Sequence, residues 1–430
     1  MMLRGGGTKT AIRAALVAVC LLSSAAQAQS IDSSYADFSA ATTHYANGEY
    51  DRAAPYFWKL AGAGDAESQY YLGVMMINGL GMSRNPNDAA NWFRKSAEAG
   101  YVPSMTYLGY IYSTGTGVTK SEYTGFNWYA RAAQAGDALA QNNLGMMLRD
   151  GRPYAPDHVQ AVQWFSQAAR QGDARGQYNL AEAYRLGQGV GVNMAEALRW
   201  YDYAARQGDA FAENRLGMLY RDGDGVDKSA KDAVAWFSRA AGRGNIDAMV
   251  NLAKMYEVLE GDPTKGPADA AELYRQAAEK GNVEAMHWLG NLYEMGIGVR
   301  QDYSRAAAWY KKAGEEKNFM PSLMALAHFY EEGRGVPKSV DRARALFMQG
   351  AQAGDAKSQL ALARMSRDGR GGPVDMMMAY QWFALAAENL PEGEDKNSAV
   401  VGRIQTANAL TEAQLRDARQ RVSEWRPSSK

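Results

Sequence analysis

A doublet of large residues marks the chain at a fixed interval. Its first member is Tyr56, Trp92, Trp128, Trp164, Trp200, Trp236, Leu273, Trp309, Leu346 and Trp382, spaced 36 or 37 residues apart. Its second member is Phe or Tyr without exception, from Phe57 and Phe93 to Phe347 and Phe383. Phe and Tyr together are only 36 of 430 residues, so ten matches in ten define an internal repeat. A small residue stands three positions before each doublet, as Ala53, Ala89 and Gly125 do, and another follows five positions after its first member. Spacings of three, four and five select one face of a helix, which predicts the second helix of each unit.

A first helix shows the same regularity. Leu72, Leu108, Leu144, Leu180, Leu216, Leu252, Leu289, Leu326 and Leu362 are each followed by Gly or Ala. Ser, Ala or Gly precedes each by four positions, and Tyr usually follows by four, as in Tyr112, Tyr184, Tyr220, Tyr256, Tyr293 and Tyr330. Small residues let a partner helix approach while Leu and Tyr fill the gap. Gly-x-Gly turns such as Gly115/Gly117 and Gly296/Gly298 join the two helices, and glycine supplies the left-handed residue that ends a helix. Ten helix hairpins of about 36 residues are therefore expected over 34–390. Trp200 and Trp236 are expected at inter-helix positions, where truncation of Trp236 costs about 3–5 kcal/mol.

The pattern over residues 212–244 is nearly complete: Ala212, Leu216, Gly217, Tyr220, Gly223, Gly225, Val226, Ala233, Trp236, Phe237, Ala240, Ala241 and Gly244. It resembles the Sel-1-like repeat, a relative of the tetratricopeptide repeat, and the resemblance covers more than four fifths of the chain. It implies an all-α, right-handed superhelical solenoid that binds other proteins through its surfaces, the concave one above all. It also implies envelope roles for exported members, either regulation and assembly or a scaffold in polysaccharide synthesis and export. Three units depart from the pattern. The first has the shorter Asn47-Gly48-Glu49-Tyr50 turn, the seventh replaces Gly-x-Gly with residues 261–266, and the eighth has Lys317 where glycine is expected. A bend is expected at 257–321. Residues 391–398 read as a loop, 399–409 and 412–425 as capping helices with Thr411 and Gln414 forming a capping box, and 427–430 as a disordered tail.

The N-terminus adds a targeting signal. Arg4, Lys9 and Arg13 precede an apolar run from Ala14 to Leu22, and Ala26-Gln27-Ala28 fits the small-residue rule for cleavage before Gln29. Residues 1–28 are thus expected to be a cleaved signal peptide, 29–33 a short linker, and the mature protein periplasmic or secreted. Cys20 is the single cysteine, and Val19 stands where a lipoprotein signal wants a small residue. Without the leader the chain has no thiol, and disulfides play no part. The apolar run is too short to span a bilayer, and no transmembrane segment is expected. Lys plus Arg equal Asp plus Glu at 47 each, which argues against a nucleic-acid partner.

Little catalytic chemistry is on offer. His44, His158, His287 and His328 have no metal-pair spacing, and no nucleophile elbow, Walker loop or H-E-x-x-H occurs. No catalytic residue, metal or cofactor is expected. Specificity then falls to variable positions. Five residues past the repeat leucine stand Arg149, Arg185 and Arg221, then Glu257, Glu294 and Glu331, one per stacked helix. They read either as a solvated ridge partly neutralised by Asp150 and Asp222 or as a bipolar track for an extended partner segment. Tyr70, Tyr107 and Tyr110 form a second candidate anchor near the N-terminus. The expected partner is an envelope protein, with polysaccharide machinery or a carbohydrate as the alternative.

Overall fold

A computed structural model describes residues 34–258 and 264–427. The expected leader with Cys20, the cleavage point at Gln29, the 29–33 linker and residues 428–430 lie outside the described residues, as does part of the seventh-repeat turn. The described residues fold into helices and turns without a strand. They form a helical solenoid whose chain divides into two compact units between Asp209 and Ala210.

The first unit holds α1 (34–46), α2 (Tyr50–Gly62), α3 (Ala66–Asn78), α4 (Pro86–Glu98), α5 (Val102–Thr114), α6 (Glu122–Gln134), α7 (Ala138–Asp150), α8 (His158–Arg170), α9 (Ala174–Leu186) and α10 (Met194–Arg206). The second holds α11 (Ala210–Asp222), α12 (Ala230–Gly242), α13 (Ile246–Glu257), α14 (Pro267–Glu279), α15 (Val283–Met295) and α16 (Tyr303–Gly314). It continues with α17 (Met320–Glu332), α18 (Val340–Gln352), α19 (Ala356–Asp368), α20 (Met376–Asn389), α21 (Glu394–Asn408) and α22 (Glu412–Glu424). Inside each unit every helix from α2 to α10 and from α11 to α21 packs on its sequence neighbour, while α22 returns to α20.

The ends of these helices are written into the sequence. Asp65, Asp137 and Asp173 accept the N–H three residues on at the start of first helices, and Asn85, Ser121, Asp157 and Asn193 do so for second helices. Each such cap is worth about 1 kcal/mol. Tyr101 and Phe319 make no side-chain cap. Both precede a helix with Pro in its first turn (Pro103, Pro321), where a missing N–H removes no helical bond. In the hairpin turn Gly117 has φ +72, and a Cβ there would overlap the backbone of Pro86 one helix back. Only glycine fits.

The core is built by the second member of each doublet. Phe57, Phe93, Tyr201, Phe237, Tyr274 and Phe383 are wholly buried. In several repeats the ring lies against the glycine that follows the repeat leucine, as Phe93 does against Gly73; a Cβ on Gly217 would come within 2.6 Å of the Phe237 ring. The first member behaves differently from expectation in every repeat but the last, where Trp382 is buried. Trp92, Trp128, Trp200 and Trp236 are only half-buried. A cation three residues on covers several of these rings: Lys95 lies 4.2 Å from the Trp92 centroid, Arg131 4.3 Å from Trp128 and Arg239 4.7 Å from Trp236. The tryptophan is one position round the helix from the wholly buried ring, so it seals the edge of the core.

A polar ladder threads the same helices. Gln141 and Gln177 are buried and donate to the Ala133 and Ala169 carbonyls at 3.2 and 3.3 Å. Their free oxygens accept from Gln171 and Gln207, each at 2.8 Å. In the second unit the position is Glu213, 1% exposed, and its partner becomes Arg243, whose Nε lies 3.1 and 3.2 Å from the two carboxylate oxygens.

Two irregular places resolve differently from the sequence reading. Near Lys317, the left-handed residue is Asn318, at φ +55. The loop expected at 391–398 is shorter, because α21 begins at Glu394. Gly393, at φ +155, precedes it, and Glu394 and Asp395 complement the helix N-terminus. The expected capping box of α22 is present, with Gln414 N–H donating to the Thr411 hydroxyl at 3.3 Å and Thr411 N–H to Gln414 Oε1 at 3.0 Å.

One packed histidine gives the second unit an acid sensitivity. The His287 ring packs among Trp288, Tyr310 and Phe319, with Nδ1 3.0 Å from the Ser322 hydroxyl. Burial lowers its pKa, and the charges of Glu284 and Glu294 oppose this without reversing it. The unfolded chain therefore takes up this proton at higher pH than the folded one. The resulting stability is full above about pH 6.5 and falls as pH drops through the folded value. Urea midpoints of wild type and His287→Gln, measured from pH 7.5 to 5, should show the variant losing less of its stability over that interval. Parallel profiles would remove His287 from the acid response.

Candidate interaction surface

The two groups of predicted residues meet different fates. Tyr107 and Tyr110 lie on α5, and Tyr70 on α3. Tyr70 is half-buried among the rings of Phe93, Tyr101 and Tyr107, with centroids 5.4–5.8 Å apart. Burial pushes its hydroxyl up to about 12. It packs within this ring cluster. Tyr107 lies flat on Phe93, 4.7 Å away at 15°, and Tyr110 stands at 77° to Tyr107. Tyr110 is 50% exposed.

These two rings wall a groove of about 490 Å³ that crosses α3, α5 and α7. Ile77 and Tyr129, both buried, also line it, and Leu139 adds an apolar side chain that is 52% exposed. Burial raises the Tyr129 hydroxyl well above its ordinary value even though Asn143 hydrogen-bonds it. Arg84, Asn78 and Thr116 complete the polar edge. The sequence reading missed Leu139, and a signal existed. From α3 onward the second residue of each first helix is Glu67, Pro103, Arg175, Asp247, Glu284, Pro321 or Lys357, and large and apolar only at Leu139 and Phe211.

The charged positions are half-buried and internally paired. Arg149 and Arg185 belong to the first unit, the other four to the second. Arg149 Nε reaches Asp150 at 2.8 Å and its Nη1 reaches Asn179 at 3.2 Å. Arg185 pairs with Glu182 at 2.7 Å, and that carboxylate also accepts the Tyr201 hydroxyl at 2.6 Å. Arg221 makes two 2.8 Å bonds to Asp222, which holds the Asp222 carboxyl below its usual range. Glu257 accepts the Tyr274 hydroxyl at 3.1 Å. Glu294 accepts the Tyr310 hydroxyl at 2.7 Å and Arg334 at 2.9 Å. Glu331 takes Arg370 at 2.6 Å. Each of these side chains has a partner within its own unit, a countercharge at five positions and the neutral Tyr274 hydroxyl at Glu257.

Among the described residues no group of three or more His, Cys, Asp or Glu is placed to hold a metal ion, and no helix is long and apolar enough to cross a membrane.

Comparison with known proteins agrees with this architecture. The sequence profile of the Sel1 repeat matches nine consecutive segments, 66–101, 102–137, 138–173, 174–209, 210–245, 246–282, 283–318, 321–355 and 356–389. The hairpin of α1 and α2 precedes the first of them. No curated protein matches the chain. Among solved structures, a protective antigen of uropathogenic Escherichia coli strains displaying an SLR fold is 28% identical. That match covers 92% of this chain and 85% of that one, with a TM-score of 0.69. A Sel1 repeat protein from Oxalobacter formigenes is also 28% identical over 73% of this chain and 90% of its own, with a TM-score of 0.56.

Proposed function

The chain belongs to the Sel1 repeat family, and from that premise we propose that it is an exported, non-enzymatic adaptor that holds a protein partner in a bacterial envelope. Repeats of this family are protein-interaction scaffolds. The observation that carries the reading is the Tyr107–Tyr110–Leu139 groove. A half-exposed tyrosine and a half-exposed leucine stand over buried Ile77, on helices whose positions are fixed by the ring packing beneath them. Large apolar side chains on a rigid frame bind at low entropic cost, and tyrosine is prominent among residues that dominate interfaces. The basic, apolar and small-residue sequence of the first 28 residues supports export.

Affinity capture from envelope extract, using wild type and a Tyr110→Ala, Leu139→Ser double variant, tests both parts. A partner retained by the wild type and reduced at least tenfold by the variant is the expected result. The native protein should fractionate with the envelope or medium and begin at Gln29. Equal capture by both forms would remove the groove from the reading, and an intact residue 1 in the mature protein would remove export.

A further inference from the structure

Resting on the adaptor reading, we propose that the Tyr107–Tyr110 groove takes a linear segment of its protein partner in which an apolar side chain stands next to a carboxylate. Shape comes first. Tyr107 gives one face to Phe93, and Tyr110 meets it at 77°, so the two rings form a corner rather than a flat platform. Ile77 and Leu139 line the same space. A corner of this kind encloses a branched or aromatic side chain, whereas a pyranose ring wants an open aromatic face to lie on.

Charge supplies the second half. Arg84 is the one formal charge among the residues lining the groove. It is exposed, its Nε donates to the Ile77 carbonyl at 3.0 Å, and it makes no ion pair among the described residues. The nearby Asp137 is committed to its own helix, accepting the Ala140 N–H at 2.7 Å and the Thr106 hydroxyl at 3.1 Å. The guanidinium, tied at Nε, therefore holds a cation at the groove edge with its remaining N–H groups available to a carboxylate. The amides of Asn78 and Asn143 line the same space, where the backbone of an extended segment would pass. This contrasts with the six charged repeat positions, each of which already has a partner within its own unit.

Selection from a random dodecapeptide display library against the full chain tests the assignment. Enriched peptides should carry Phe, Leu or Met with Asp or Glu within two positions, at least fivefold over the unselected library. Their affinity should fall as salt rises. Arg84→Glu should abolish the acidic preference while keeping the apolar one, and Tyr110→Ala should reduce enrichment at least tenfold. All three altered positions, Arg84, Tyr110 and Leu139, are at the surface, and an unchanged helical circular dichroism signal confirms the variants are folded. Apolar enrichment without acidic bias, lost in Tyr110→Ala, would overturn the carboxylate inference and leave the adaptor reading standing. Enrichment indifferent to Tyr110→Ala and Leu139→Ser would overturn both as they concern this groove. No enrichment at all, or binding to arrayed glycans that Tyr110→Ala abolishes, would overturn a peptide ligand.

Discussion

Phe237→Ala should destabilise the second unit by about 3–5 kcal/mol, while Trp236→Ala beside it should cost about 1–2 kcal/mol. The larger residue has the smaller effect because of where the two rings sit. Phe237 is 0% exposed and rests on Gly217, whose Cα is main chain and has no side chain to relax into the void. Truncation there leaves a cavity that only a helix shift would fill. Trp236 is half-buried, and its truncation exposes an edge that water wets while releasing Arg239, whose attraction to the ring is worth about 0.5–1 kcal/mol. Solenoid coupling passes from neighbour to neighbour, so lost amide protection should centre on α11 to α13. Equal urea midpoints for the two variants would mean the core is organised around the tryptophan after all.

Arg243→Gln should cost about 3 kcal/mol, and adding Glu213→Gln should recover most of it. The single change strands a carboxylate that is 1% exposed, which is far more costly than losing a surface ion pair. Arg243 itself is 53% exposed along its side chain, which keeps the loss at the lower end of the range for buried pairs. The double variant rebuilds in α11 and α12 the arrangement that α9 and α10 already use, where Gln207 donates to Gln177. A double-mutant cycle without a coupling of at least about 1 kcal/mol would show that Glu213 is satisfied by other groups.

The pattern of large and small residues foretold the fold closely because it is a pattern of contacts at fixed offsets. The glycine after the leucine meets the second ring of the doublet at Gly73, Gly109, Gly145, Gly217 and Gly290, and the turn glycines are demanded by the main chain. The tryptophan misled because size is not depth: one helical step separates a wholly buried position from an edge. Charge was harder to read. Whether Glu257 and Glu294 face solvent depends on a hydroxyl 16 or 17 residues later, and the clue was Tyr instead of Phe at 274 and 310. The arginines at 149 and 221 answer Phe165 and Phe237 instead, and spend their donors on the following aspartate. Of the predicted anchors, Tyr107 and Tyr110 reach a groove because α7 places Leu139 opposite them, a juxtaposition between repeats that no single repeat encodes.

The turn glycines also limit how such a chain can change length. Gly81 lies over Tyr50, Gly117 over Pro86, Gly298 over Pro267 and Gly335 over Tyr303, always one hairpin back and always against main chain. Loss or gain of one whole repeat rejoins a glycine to an equivalent helix start, because the surface it needs is backbone and carries no identity. Loss of a few residues within a turn moves its glycine off that helix start and sets a Cβ against a peptide group. Lineages of this chain should therefore differ in length by steps of a whole repeat, and the groove between α3, α5 and α7 can be kept while the number of repeats beyond it drifts.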